Sequence, residues 1–350
     1  MKVIFIPDYR KGNPYQELLA NSLSNFGVKV NFGNIFPIFS MLRNAKKYWK
    51  PDILHIHWQH PFLLSSSRWK TILKSTSFIC ELIFLKLLGI KIVWTVHNIV
   101  SHEKKFSSIE LFFNKILAKL CDKLIVHCPP AKEEVMKVYS IGNSSIAVIP
   151  HGNYNYENKI SKEQARKMLQ LDSNDFVFLY FGQIRPYKGV YELIDAFKML
   201  GNVKAQLLMV GNPYDKDIVI KIKNRSENKS IKTILKFVPN EEVQIYMNAA
   251  DIVVIPYREI LTSGALILAI SFGKPIIAPK MGCVSDILNK KGGFLYQGED
   301  GLLEAMKTAL NASKEKLNKM GEYNFKLAEK LDWDSIAENT YKIYKELKVD

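Results

Sequence analysis

The chain has 350 residues, room for two domains at roughly 100–200 residues each, and its mix of 47% hydrophobic and 24% charged residues is that of a globular protein, which excludes long disorder. The net charge is +15 and falls mostly on the first half, where 20 Lys/Arg face 9 Asp/Glu up to Asn155. No zinc finger, RRM or helix-turn-helix pattern goes with it, so nucleic acid is not an expected partner, and anionic lipid or a phosphorylated substrate remains.

The opening "MKVIFIPDYRKG" has too short an apolar run for a signal peptide, and a cytoplasmic location is expected. "KVIFIP" reads as the first strand. In "NPYQELLANSLSNFG" Asn13 suits an N-cap, Pro14 the first helical position, Gln16 a capping partner and Gly27 the stop. "VKVNFG", "DILHIHW", "KIVWTVHN", "KLIVHC" and "IAVIPHG" follow as strands. Their unbroken Val/Ile/Leu runs predict a parallel sheet covered on both faces. The polar "HGNYNYENKI" marks a boundary, and "SKEQARKMLQL" opens a helix at Ser161 with Gln164. "FVFLYFG", "QLLMVG", "TILKFV", "DIVVIPY", "KPIIAP" and "GFLYQ" repeat the strand pattern. The expectation is two doubly wound α/β domains, 1–155 and 156–332, with a last helix, 333–350, packing back on the first.

Two stretches admit two readings. "RWKTILKSTSFICELIFLKLLG" and "KKFSSIELFFNKILAKL" mix aromatics and aliphatics with lysines, and neither is apolar enough to span a bilayer. They are either core-facing crossover helices with solvated lysines or an interfacial surface that meets anionic lipid.

The chain lacks a P-loop, a G-x-G-x-x-G after its first strand, a G-x-S-x-G elbow and an H-E-x-x-H. It does carry two turns suited to an anion. In "YFGQIRPYKGVYELIDAF" a strand ends at Gly182, Gln183, Arg185 and Lys188 occupy the loop, and Gly189 opens a helix. In "IPYREILTSGALILAISFGKPIIAP" a strand runs through Arg258 and Glu259 into Thr262, Ser263 and Gly264, with Thr262 as the expected N-cap. Strand end, cations and helix N-terminus together suit a diphosphate. A solvated basic turn and a purely structural cap are the competing readings.

These residues resemble the GT-B glycosyltransferases of the large retaining bacterial group, the glycosyltransferase family 4-like, exopolysaccharide and capsule type. "FGQIRPYKGVYELIDAF" is similar to the family's G-x-L-x-x-x-K-G element, "GALILAISFGKPIIAPKMGCVSDIL" to its donor-site helix and following strand, and "VIPHGN" to the end of its first domain. The resemblance implies two Rossmann-like domains facing across a cleft, a nucleotide sugar on the second and an acceptor on the first. It implies no cofactor and no metal, because cations and helix dipoles offset the leaving diphosphate. Lys188 matches the family lysine that contacts the diphosphate; Gln183 stands where arginine is common, with Arg185 two residues on. The family's glutamate pair is absent. Its positions fall at Ile260, beside Glu259, and at Leu268, which leaves the stereochemical course open.

All seven histidines lie at or before position 151, at or just beyond expected strand ends. His55, His57 and His60 lack a further ligand at zinc spacing, so His57, Trp58 and His60 are assigned to the acceptor side and His55 to the core. "TVHN" resembles a family T-x-H-[DN] whose histidine lies near the donor sugar, which makes His97 a catalytic candidate and Asn98 its neighbour. His102 with Glu103 offers a general base if the reaction inverts. Gly12, Asn13, Asn98 and His151 complete the acceptor side.

The function expected is transfer of a hexose from a nucleotide diphosphate sugar, GDP-mannose or a UDP-sugar, to a lipid-linked or polysaccharide-precursor acceptor, with peripheral contact at the inner membrane face. A two-domain nucleotide-sugar epimerase and a non-catalytic nucleotide-sugar-binding or scaffold protein are the alternatives.

Overall fold

The computed structural model describes residues 1–101, 105–298 and 300–349. They divide into two compact units, Met1–Gly152 with Leu331–Asp350, and Asn153–Lys330.

In the first unit β1 (Lys2–Ile6), β2 (Lys29–Phe32), β3 (Ile53–Ile56), β4 (Lys91–Thr95), β5 (Lys123–Val126) and β6 (Ile146–Val148) form one sheet in the order β2-β1-β3-β4-β5-β6. Every pairing is parallel. Each residue of β3 is buried, as a strand with helices on both faces requires. Consecutive crossovers change direction between β1 and β3, which makes their carboxyl ends the switch point where ligands of such sheets bind. The core joins Val3, Phe5, Leu19, Ile53, Val93 and Ile125 to Trp333, Ile336 and Tyr344 of the last helix, Trp333–Val349. Gly152 is needed under that helix, since a Cβ there would lie 2.3 Å from the Trp333 ring.

The first helix, Tyr15–Ser24, starts differently from expectation. Pro14 takes the cap position, and Asn13 Oδ1 accepts from the Tyr15 amide at 3.0 Å. Gln16 does not close a capping box. It is fully buried, its amide donates to the Pro7 carbonyl at 2.8 Å and its Oε1 accepts from the Tyr9 amide at 2.9 Å. The residue thereby fastens the loop after β1 to the helix.

In the second unit β7 (Phe176–Phe181), β8 (Ala205–Val210), β9 (Ile231–Ile234), β10 (Ile252–Val254), β11 (Ile276–Pro279) and β12 (Gly293–Tyr296) run in the order β12-β11-β10-β7-β8-β9, all parallel. Numbered within the unit, the order is 3-2-1-4-5-6, with its switch point between β7 and β10. The Ser161–Gln164 capping box forms as expected. β9 begins two residues before the "TILKFV" run.

Candidate active site

The two sequence elements suited to an anion occupy the switch point of the second unit. β7 is followed by Gly182 at φ 139°, and Gly211 beyond β8 comes so close that a Cβ on it would lie 1.7 Å from the Gly182 carbonyl oxygen. Gly189 caps the helix Val190–Met199 at φ 66°, and a Cβ there would sit 1.8 Å from the Pro256 carbonyl oxygen. Glycine at 189 therefore lets the loop after β7 pack on the loop after β10. The Arg258 amide donates to the Tyr187 carbonyl at 3.1 Å and closes the same contact.

The side chains gather on this frame. The half-buried Lys188 ammonium lies 4.8 Å from the Tyr257 ring centroid. Burial presses its pKa below the usual lysine value; Tyr187 opposes the shift and the Arg185 charge adds to it. A lysine so placed gains by meeting an anion. Arg185 lies over the Tyr214 ring at 4.6 Å, and its Nε donates to Gln183 Oε1 at 3.2 Å.

Ser263 caps the helix Gly264–Ser271, its hydroxyl accepting from the Leu266 amide at 3.1 Å and hydrogen-bonding Tyr257. The cap is thus Ser263 and not Thr262, because Ser263 has the extended backbone that a cap requires, with φ at −140°. Gly264 lies under Tyr154, whose hydroxyl would be 2.9 Å from an added Cβ. Glu259 is exposed, Thr262 half-buried, and Leu268 packs into the core at 7% exposure. A carboxylate at 268 would be buried among apolar side chains, so the missing glutamate agrees with its surroundings.

Along the carboxyl ends of β3 to β6 the first unit gathers five imidazoles, His55, His57, His97, His127 and His151, and the last four surround the phenol of Tyr15. Tyr15 packs against His57, His97, His127 and His151 with ring centroids 5.6, 5.2, 5.7 and 4.9 Å away. His55 spans Tyr344 Oη at 2.5 Å and Thr95 Oγ1 at 2.7 Å. His57 stacks on His55 at 4.3 Å. Two-residue alternation places both on one face of β3, under Phe5 and Tyr15.

His57, expected to face an acceptor, is instead fully buried, and neither of its ring nitrogens has a hydrogen-bond partner. Burial holds all five as neutral rings. His55 and His151 are pressed down to about 3 and His127 to about 4, while His57 and His97 lie well below the usual value. Among the described residues no group of His, Cys, Asp or Glu has metal-site geometry.

The remaining assigned residues spread around this cluster. Trp58 stacks on His97 at 4.5 Å and 11°, and Tyr9 reaches Trp58 at 5.3 Å and His60 at 6.5 Å. Asn98 is half-buried next to His97, His151 Nδ1 donates to the Gly152 carbonyl at 2.7 Å, and Gly12 is exposed in the loop that Gln16 holds. His102 and Glu103 lie outside the described residues. Tyr15 and Tyr257 were not singled out by sequence, since an aromatic ring at a helix start or after a strand carries no signal of its own, and Gln16 was read only as a capping partner.

Two all-parallel sheets of six strands, each with its candidate site residues at a strand-order switch point, define a GT-B fold. The model of the family "Glycosyl transferases group 1" matches residues 161–327, and that of "Glycosyltransferase Family 4" matches residues 3–152. A GDP-mannose:glycolipid 4-beta-D-mannosyltransferase from Xanthomonas campestris pv. campestris is 25% identical over 346 residues, 95% of this chain and 88% of that protein. Among solved structures, a sucrose-phosphate synthase from Thermosynechococcus elongatus superposes with a TM-score of 0.78 at 17% identity, covering 99% of this chain and 98% of the other. Anabaena HepE in complex with UDP and glucose gives 0.77 at 18% identity, covering 99% and 100%. The chain belongs to the family 4-like GT-B glycosyltransferases and is an enzyme that uses a nucleotide sugar.

Proposed function

We propose that the enzyme moves a hexose from a nucleotide diphosphate sugar to a hydroxyl of a lipid-linked or polysaccharide-precursor acceptor in surface-glycan synthesis, without a bound metal. GDP-mannose is the first candidate donor, in keeping with the name of the Xanthomonas relative, and UDP-sugars are the second. The carrying observation is the switch point of the second unit, where the Lys188 ammonium lies against Tyr257, the Tyr257 hydroxyl bonds the Ser263 cap of the helix Gly264–Ser271, and Arg185 stands in the same loop as Lys188.

In the reaction the bond from the anomeric carbon to the diphosphate oxygen breaks and its electron pair stays on the diphosphate. Lys188, Arg185 and the amides at Gly264 offset that charge, the task a metal performs elsewhere. The acceptor oxygen forms the new bond to the anomeric carbon, and its proton passes to the departing diphosphate or to water. On the first unit Trp58, His60, Asn98 and the loop of Gly12 and Asn13 form the acceptor side, and His97 meets a sugar hydroxyl.

Peripheral contact with an anionic membrane belongs to the same reading. Trp69, Leu73 and Leu87 are 68%, 56% and 80% exposed along the helix Arg68–Leu87, and Phe112 is 59% exposed on the helix Ser107–Leu120. The acidic residues of these two helices, Glu81 and Glu110, are buried, whereas Arg68, Lys70 and Lys119 are exposed. An apolar and cationic face without acid complements anionic lipid and would repel its own copy. Among the described residues no helix is long and apolar enough to cross a membrane.

A panel of nucleotide sugars, with detection of released nucleoside diphosphate, tests the proposal. Release from one donor, rising with added lipid extract, supports it. Conversion of the donor sugar without acceptor would identify an epimerase, and no thermal stabilisation by any nucleotide would identify a scaffold.

A further inference from the structure

Three adjacent strand ends set up a line of hydrogen bonds whose direction can be worked out from one end. The Val96 amide donates to the Ile125 carbonyl at 2.8 Å and the Ile149 amide to the Val126 carbonyl at 2.8 Å, so the segments after β4, β5 and β6 stay in register as they leave the sheet. His127 Nδ1 lies 2.9 Å from the Ile149 carbonyl oxygen. A carbonyl only accepts, so the proton is on Nδ1. The ring is neutral, which leaves a lone pair on Nε2, and that nitrogen lies 3.4 Å from His97 Nδ1. Only an N–H can meet it. His97 therefore carries its proton on Nδ1, and since burial keeps this ring neutral too, its Nε2 bears the lone pair.

We propose that His127, anchored by the Ile149 carbonyl, is a positioning residue that fixes His97 in the Nδ1–H form, so that His97 Nε2 accepts a hydrogen bond from a sugar hydroxyl. An Nε2 in this state has no proton to offer a diphosphate oxygen, so His97 recognises the sugar and not the leaving group. Stacking of Trp58 on His97 at 11° holds the plane of the ring and leaves the tautomer to His127. The inference rests on the reading that His97 faces a sugar. It assigns His127, which that reading leaves without a role, to the same task.

The test uses the whole chain with ¹⁵N-labelled histidine, His97→Ala locating the His97 signals. Wild type should show a pyrrole-like Nδ1 and a pyridine-like Nε2 for residue 97. His127→Phe keeps the ring volume and removes both hydrogen bonds; it should shift His97 toward the Nε2–H form. His127→Gln, whose amide can donate to Ile149 and accept from His97, should restore the wild-type pattern. In step with the spectra, kcat/KM for the nucleotide sugar should fall about tenfold in His127→Phe and recover in His127→Gln, as for the loss of one buried hydrogen bond. Affinity for the nucleoside diphosphate alone should not change. A wild-type His97 protonated on Nε2, or a His127→Phe variant that keeps the tautomer or the turnover of wild type, overturns the proposal. Full turnover by His97→Ala, with the wild-type tautomer as derived, overturns the reading of His97 as a site residue.

Discussion

Gly189→Ala tests whether the packing of the loop after β7 on the loop after β10 builds the donor side. Alanine must adopt φ 66°, which costs about 1–2 kcal/mol, and its Cβ would stand 1.8 Å from the Pro256 carbonyl oxygen and 2.8 Å from its carbon. That backbone has little room to retreat, because the Ile255 amide is bonded to the Ile277 carbonyl at 2.8 Å and the Arg258 amide to the Tyr187 carbonyl at 3.1 Å. Relieving the overlap adds roughly 1–3 kcal/mol, for a total of about 2–5 kcal/mol. At roughly 2–4 °C per kcal/mol for a domain of this size, Tm should fall on the order of 10 °C. Gly201→Ala is the control, since Gly201 has φ 76° and nothing within 4 Å of an added Cβ. Differential scanning fluorimetry with and without excess nucleoside diphosphate reads both effects, and Gly189→Ala should also lose most of the nucleotide-induced rise in Tm. Equal Tm values for the two variants would refute the argument.

Lys188→Ala should lower kcat/KM for the nucleotide sugar by about 10²-fold, the loss of one preorganised charge at the leaving group, with far-UV circular dichroism unchanged. The buried histidines make stability depend on acid in a defined direction. The unfolded chain takes up protons near pH 6.5, whereas folded His127 does so only near about 4 and His55 and His151 near about 3, so stability is full above about 6.5 and is lost as pH falls below it. Each ring contributes a slope of about 1.4 kcal/mol per pH unit, and chemical denaturation at successive pH values should show His127→Gln flatter by about one proton. Leu73→Glu combined with Leu87→Glu changes two exposed positions and should weaken sedimentation with anionic vesicles about tenfold or more, with activity on a water-soluble acceptor unchanged. Unaltered sedimentation would remove the membrane contact.

The sheet cores were legible because unbroken apolar runs such as "DILHIHW" and "FVFLYFG" leave few alternatives to buried parallel strands. The two turns at the second unit's switch point were legible for a related reason: Gly189 and Ser263 stand where local backbone geometry demands them. What failed was the distinction between neighbours. Thr262 and Ser263 are both suited to capping by residue type, and it is the Ser263 hydroxyl that meets the Leu266 amide once the turn after β10 has formed. Gln16 sits where a capping partner would, yet the Pro7 and Tyr9 backbone groups across the loop claim its amide. His57 follows β3 at a carboxyl end and so reads as a ligand-facing residue. Its burial depends on Tyr15, contributed by a helix whose register against the sheet the sequence does not display. The same holds for the order in which His97, His127 and the Ile149 carbonyl meet, which is a property of three strand ends and of no single motif.

The central claim is that the bond between sugar and diphosphate breaks as the hexose joins an acceptor. It is tested most directly by following both products at once, nucleoside diphosphate and labelled hexose in the lipid-extractable fraction, for wild type and Lys188→Ala. The account predicts equal amounts of the two products, a requirement for acceptor, and a parallel fall of both in the variant. Free hexose or isomerised donor formed without acceptor, or product formation indifferent to Lys188, would contradict it.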